Sequence, residues 1–120
     1  MKINIKFTDL EPDDKLRDYT LTKVESFGKL IGEEELAASV CDVEYKKDTH
    51  HQKGDVCYAE VTLEVAGNVY RASKHEKTHE KGIDKVKDDI LQSLRVDKHK
   101  RQHNFLKGAQ QIKAMTQGEA

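Results

Sequence analysis

The chain has 120 residues, enough for one domain with a modest core but not for two. Charged and hydrophobic residues each make up 36% of it, and the net charge of −1 excludes a general polyanion-binding protein. No apolar run reaches the length of a membrane helix or of a signal-peptide core, so we expect a cytoplasmic protein without membrane contact.

The first quarter of the chain predicts a strand followed by a docked helix. Residues 2–8 alternate apolar and polar side chains, the period of a half-buried strand. Asp9 or Asp13 offers a helix start, with Pro12 in the first turn, and Gly32 offers the end. The residues that share the inward face of this helix are Leu16, Thr20, Val24, Phe27, Leu30 and Ile31, with Tyr19 beside them.

The middle of the chain predicts three more strands. Residues 33–46 indicate a solvated acidic connector and then a strand from Leu36, and residues 46–54 form a polar loop. The strongest alternation spans residues 57–65, and residues 67–73 indicate a tight reversal followed by a short fourth strand. We expect the strands to be antiparallel, with one face covered.

Two cysteines, Cys41 and Cys57, do not make a disulfide framework. Both lie in strand-like segments, where a free thiol usually behaves as a small buried hydrophobe. We therefore predict inert core cysteines, and a redox or metal role is the alternative.

The last long segment predicts a helix from about Lys77 to Lys100. Its inward residues are Ile83, Val86, Ile90 and Leu94. The predicted class is α+β in the order β-α-β-β-β-α, a four-stranded sheet with two helices packed on one face. Residues 1–101 form the domain, and residues 102–120 form a C-terminal tail that is either helical or disordered.

The letters HEKTH, residues 75–79, match the H-E-x-x-H pattern of zinc hydrolases. A zinc site would use His75 and His79 as ligands and Glu76 as the base. The position of a third ligand holds Lys85, which a metal ion repels, and the motif straddles the junction between the fourth strand and the last helix. We therefore expect no metal, no cofactor and no catalytic group, and a zinc hydrolase is only a remote alternative.

Basic residues form a ridge on the outward side of the last helix and broaden into a cluster at its end. The cations are Lys74, Lys77, Lys81, Lys85, Arg95, Lys98, Lys100 and Arg101. Neighbouring acids such as Glu80 and Asp88 neutralise the charge of this ridge in part. The alternative interpretation is a solvated helix face without a binding role. A row of cations suits contact with the phosphates of a nucleic acid. Such contacts give affinity without recognition of bases, and structured RNA is recognised largely by its shape.

Four segments of the chain resemble one known family. They read MKINIKF, KLRDYTLTKVESFGKL, VYRASKHE and IDKVKDDILQSLRVDKHK, and they span residues 1 to about 101. The chain resembles the short form of the ribosome hibernation promoting factor and ribosome-associated inhibitor A family. The resemblance implies a fold akin to double-stranded-RNA-binding domains. It also implies a protein that binds small-subunit rRNA in the mRNA and tRNA channel and holds ribosomes idle under stress. We expect a monomer in solution.

The same resemblance implies which cations contact rRNA. In the last helix they are Arg95, Lys98 and Lys100, and in the first helix they are Arg17, Lys23 and Lys29. Where relatives usually carry two cations, this chain has Asp89 and Gln92 in its segment 89–93, which predicts weaker rRNA contact. A generic module for structured RNA is the alternative function.

Overall fold

A computed structural model describes the backbone of residues 1–48 and 56–118 and the side chains of residues 1–48 and 56–100. In chain order the elements are β1 (Lys2–Thr8), α1 (Asp14–Val24), a 3₁₀ segment (Glu25–Leu30), α2 (Glu33–Ala37), β2 (Val40–Lys47), β3 (Cys57–Val65), β4 (Asn68–Glu76) and α3 (His79–Gly118). The predicted α+β class and element order are confirmed. The short helix α2 is an addition to that order.

The four strands form one sheet in the order β1-β2-β3-β4. β2, β3 and β4 pair antiparallel, but β1 and β2 run parallel, with Ile5 opposite Val43. The expectation of an all-antiparallel sheet is therefore wrong for the first pair. A helical crossover returns the chain to the end of the sheet from which it left, so the two strands that it joins point the same way.

Both long helices pack on one face of the sheet, as predicted, and together they bury a single core. The inward row is fully buried from Cys41 to Tyr45 in β2 and from Ala59 to Val65 in β3, and the inward faces of α1 and α3 lie against it. The most buried large side chains are Tyr45, Phe27, Leu63, Ile83 and Ile90. β1 contributes Ile3, Ile5 and Phe7, which are only partly buried because β1 is an edge strand. No helix of residues 1–48 and 56–118 covers the opposite face of the sheet.

One polar pair crosses this core and is internally satisfied. The hydroxyl of Thr20 lies 2.6 Å from the carbonyl oxygen of Leu16 and 2.5 Å from the hydroxyl of Tyr45. Because a carbonyl oxygen only accepts, Thr20 donates to Leu16 and Tyr45 donates to Thr20. Burial raises the pKa of Tyr45 well above its ordinary value. The hydroxyl of Tyr45 therefore stays protonated and anchors α1 on β2.

The first helix begins at Asp13, one of the two predicted starts. Its carboxylate accepts from the backbone N–H groups of Lys15 at 2.9 Å and Leu16 at 3.2 Å. Pro12 precedes this N-cap and does not lie in the first turn, contrary to the prediction. After Val24 the chain tightens into the 3₁₀ segment.

The acidic connector predicted at residues 33–35 is wrong, because these glutamates form the first turn of α2. Negative side chains are favourable at the N-terminus of a helix, where the backbone N–H groups are unpaired. Leu36 belongs to this helix and packs towards Gly28. The second strand consequently begins at Val40 and not at Leu36.

The reversal between β3 and β4 lies one residue earlier than predicted. Its two central residues are Ala66 and Gly67, with φ angles of 50° and 82°. Two successive positive φ angles characterise the tight turn whose twist matches that of a hairpin. β4 is also longer than the predicted segment 69–73 and continues to Glu76.

The third helix starts at His79, so Lys77 lies outside it. The hydroxyl of Thr78 accepts from the backbone N–H of Lys81 at 3.2 Å and caps the helix. Leu94 is the last buried residue among its side chains described to Lys100, and its backbone remains helical to Gly118. The division into a domain and a tail at residue 101 stays a prediction. Among the described helices, none is both long enough and apolar enough to span a bilayer.

The two cysteines are free, and they differ in burial. Cys41 is fully buried in the core, and burial raises the pKa of its thiol to about 12. Cys57 is half-buried, and its thiol donates to the carbonyl oxygen of Lys77 at 3.5 Å. The core prediction is therefore confirmed for Cys41, whereas Cys57 lies at the margin of the core.

Gly82 allows α3 to approach β3 closely. A Cβ atom at this position would lie 3.0 Å from the Cβ of Ala59, which belongs to a buried strand and cannot rotate away. We expect Gly82→Ala to lower the free energy of unfolding by about 1 kcal/mol. Overpacking of about 2 kcal/mol outweighs the gain in helix propensity of about 1 kcal/mol.

Urea unfolding of the single and double variants measures this effect. Adding Ala59→Gly restores the missing space, so the double variant should be more stable than the sum of the single effects predicts. Strict additivity would contradict a steric contact between these two positions.

Candidate nucleic-acid interface

The two histidines of HEKTH lie on opposite sides of the sheet. His75 faces the open side, where its ring is 4.9 Å from that of Tyr58 and its Nε2 is 3.2 Å from a carboxylate oxygen of Asp48. His79 lies on the helix side, where its ring is 5.3 Å from that of Tyr45. The continuous helical turn that the zinc motif requires is therefore not formed.

The polar atoms of the motif also have other partners. Nε2 of His79 lies 3.0 Å from the carbonyl oxygen of Lys46, and this nitrogen must carry a proton because the carbonyl only accepts. Glu76 accepts from Lys85, which lowers the pKa of the carboxyl group. Within residues 1–48 and 56–100, no three His, Cys, Asp or Glu side chains lie close enough together to hold a metal ion.

Two lysines in the first half of the basic ridge are paired with acids. Lys85 forms a salt bridge with Glu76, and Lys74 lies 3.7 Å from a carboxylate oxygen of Asp89. Lys77 precedes the helix, and Lys81 is exposed. The expectation of one collinear helical stripe beginning at Lys77 is therefore wrong. A helical wheel shows only neighbours on the same helix, whereas the acid that pairs with Lys85 comes from β4.

The second half of the ridge keeps its charge. Arg95, Lys98 and Lys100 are exposed, and no salt bridge within the described part of the chain involves them. The acid among them, Asp97, accepts from the hydroxyl of Tyr70 at 2.6 Å and so turns towards the sheet. This segment of α3 therefore presents cations outward on several sides of the helix. Arg101, predicted with them, has its side chain outside the described residues.

The three predicted cations of the first helix have different surroundings. The guanidinium carbon of Arg17 lies 5.6 Å from the ring centroid of Phe7, and Lys23 forms a salt bridge of 3.2 Å with Asp84. Lys29, in the 3₁₀ segment, lines a cleft of about 720 Å³ together with Lys98. The structure thus brings together Lys29 and Lys98, and it leaves Arg17 and Lys23 outside this group.

The cleft is lined by positively and negatively charged side chains above an apolar floor. Its rim carries Lys29, Lys98 and the three glutamates of α2, and its floor is formed by apolar side chains. The floor residues are Leu30, Ile31, Val65 and Leu94. At the end of the fold where α3 leaves the sheet, one cleft is thus lined by a cation of the 3₁₀ segment and a cation of α3, with the glutamates of α2 beside them.

The open face of the sheet carries paired charges that were not predicted from the sequence. Glu44 lies directly opposite Glu60 in the central strands, and each has its own cationic partner: Lys46 at 3.4 Å and Arg71 at 2.9 Å. Burial raises the pKa of Glu60, but hydrogen bonds from Tyr58 and Arg71 outweigh it and lower the pKa overall. The acids and cations in the centre of this face offset each other, so it presents no excess of positive charge to a polyanion. The polar positions alternating along β2 and β3 could have indicated this face.

A protein-family model described as sigma 54 modulation protein / S30EA ribosomal protein matches residues 3–102. The chain belongs to this family. The predicted resemblance is thereby confirmed, and membership makes the protein a ribosome-associated modulation protein. No curated protein sequence matches the chain significantly.

Solved structures support the fold of this S30EA family member. The N-terminal domain of Protein Y from Thermus thermophilus is 20% identical and superimposes with a TM-score of 0.65, covering 78% of this chain and 96% of that domain. A ribosomal subunit interface protein from Coxiella burnetii is 15% identical with a TM-score of 0.64, covering 82% of this chain and 99% of the other. At these identities the likeness concerns the fold.

Proposed function

We propose that this protein binds rRNA of the small ribosomal subunit in the channel for mRNA and tRNA and thereby keeps ribosomes idle under stress. The observation that carries the proposal is the cationic end of α3, where Arg95, Lys98 and Lys100 are exposed while Asp97 is held inward by Tyr70. Membership of the S30EA family supports the ribosome as the partner.

The mechanism is steric and needs no catalytic group or cofactor. Cations at the end of α3 and on the 3₁₀ segment contact phosphates, and the rigid sheet with its two helices fills the volume that mRNA and tRNA require. Phosphate contacts position a protein on RNA without base recognition, so the shape of the site supplies specificity. The protein acts as a cytoplasmic monomer in this proposal.

Two features explain why one side of the molecule faces the RNA. The open sheet face pairs acids with cations in its central strands, and two lysines in or next to the first half of α3, Lys74 and Lys85, are paired with acids. The net charge of −1 also gives no general attraction to polyanions. Docking therefore depends on local complementarity at one end of the fold, which favours a structured target over arbitrary RNA.

Sedimentation of purified ribosomal subunits with the protein tests the proposal. We expect the protein to travel with the small subunit and not with the large one, and to inhibit translation in a reconstituted system. An excess of mRNA fragment and tRNA added beforehand should reduce binding, because they occupy the same channel. Sedimentation with the large subunit alone would contradict the proposal. Displacement by an equal mass of free duplex RNA would indicate the generic RNA-binding module instead.

A further inference from the structure

Asp84, in the second turn of α3, is a point where side chains from two helices meet. Both of its carboxylate oxygens lie 2.8 Å from the hydroxyl of Tyr19, which donates to them. Its Oδ1 also lies 3.2 Å from the ammonium group of Lys23. Tyr19 and Lys23 are four residues apart on α1 and therefore lie on the same side of that helix. Asp84 thus ties α1 to α3 by two contacts.

The charge of Lys23 is already compensated within the protein. Its side chain is only 28% exposed, and its ammonium group lies 4.9 Å from the centroid of the Tyr19 ring. The hydrogen bond to Asp84 and the charge of that carboxylate raise the pKa of Lys23. Burial, followed by the hydrogen bond to Asp84, raises the pKa of Tyr19. A phosphate that approached Lys23 would compete with this carboxylate and be repelled by it.

The same contacts govern how the two helices are placed. These hydrogen bonds and this salt bridge join α1 to α3 in addition to the packing contacts between the two helices. Packing of apolar surfaces is not directional, whereas a hydrogen bond with defined geometry fixes a register. Lys29 follows α1 and Lys98 belongs to α3, so the spacing of these cations at the cleft depends on that register.

We propose that Asp84 is a positioning residue for the RNA interface, because it fixes α1 on α3. In this proposal Lys23 binds Asp84 within the protein and does not contact phosphate. The proposal rests on the proposed function, because it concerns how the cations at the cleft are held for rRNA. It departs from the role that the family resemblance implies for Lys23, and it retains that role for Lys29 and Lys98.

The salt dependence of binding to the small ribosomal subunit separates the two roles. A cation that contacts phosphate releases counterions, so its loss lowers the slope of log Kd against log salt concentration by about one. We expect Lys98→Gln to lower the slope by that amount. Lys23→Gln should weaken binding about threefold to tenfold at every salt concentration with an unchanged slope.

Tyr19→Phe provides a variant without any change of charge. It removes the donor to Asp84 and keeps the ring, so the positioning role predicts weaker binding with the wild-type slope. A slope reduced by about one in Lys23→Gln, as in Lys98→Gln, would show that Lys23 contacts phosphate and overturn the proposal. Wild-type affinity in Tyr19→Phe would overturn the positioning role of Asp84.

A measurement without ribosomes keeps this inference distinct from the proposed function. Thermal unfolding of Lys23→Gln, Asp84→Asn and the double variant tests whether the two side chains act together. We expect the double variant to lose less in Tm than the sum of the single losses, and additive losses would overturn the contact. Failure of the wild-type protein to bind the small subunit would overturn the proposed function, whereas this cycle would still decide whether Lys23 and Asp84 are coupled.

Discussion

Reversing Lys98 and Lys100 to glutamate is expected to weaken binding to the small ribosomal subunit by on the order of a hundredfold or more at physiological salt. Each change removes one cation and adds one anion, so two phosphate contacts are lost and two repulsions are created. Both side chains are exposed and form no salt bridge among the described residues, so the reversal breaks no such contact of the fold. Co-sedimentation over a series of salt concentrations measures the effect.

A second double variant serves as the control, because it changes the net charge by the same amount at positions outside the proposed interface. Lys2 lies on the open sheet face and Lys15 lies at the start of α1, and both are exposed without a described salt bridge. Reversing these two lysines should leave binding within about threefold of wild type, since only long-range repulsion, screened within about 8 Å, is added. Equal losses in both double variants would show that net charge alone governs binding and would contradict a local interface. An unchanged circular dichroism spectrum confirms that both variants fold.

The elements with strict alternation were predictable from the sequence to their ends. β1 and β3 occupy residues 2–8 and 57–65, because the aliphatic side chains of these strands alternate with polar or aromatic ones that face the open side. α2 was not predictable in the same way, since its three glutamates show no apolar period and Leu36 is its one large apolar residue. The parallel pairing of β1 and β2 follows from the crossover, which the pattern of a single strand does not contain.

The interface was predictable only in part. A helical wheel shows which side of a helix a residue occupies, but it does not show which residues of other elements lie next to it. It placed Lys85 correctly on the outward side of α3, yet the acid that neutralises this lysine belongs to β4. Lys23 has its partner on α3, sixty-one positions along the chain. Conversely, the wheel gave no reason to connect Lys29 with Lys98, which the fold brings to one cleft. The contacts that decide which cations remain available are all tertiary.

Ile90→Ala is expected to lower the free energy of unfolding by about 2–5 kcal/mol, a large fraction of the stability of a domain of this size. Ile90 is 1% exposed and lies in the middle of the inward face of α3. Truncation removes apolar contacts and leaves a cavity between α3 and the sheet, which rigid neighbouring strands cannot fill completely. Urea unfolding followed by circular dichroism measures the loss, and a decrease in the midpoint at constant slope indicates a change in stability alone.

Val96→Ala is the matched control, because Val96 lies on the same helix, is also β-branched and is 41% exposed. Replacing either residue by alanine raises helix propensity by a similar amount, about 0.5 kcal/mol, so the difference between the variants reports burial. We expect Val96→Ala to be neutral or slightly stabilising. A loss in Ile90→Ala no larger than that in Val96→Ala would mean that α3 does not pack on the sheet through this face. The orientation of Arg95, Lys98 and Lys100 would then have no structural basis, since the packing of Ile90 and Leu94 is what directs these cations away from the sheet.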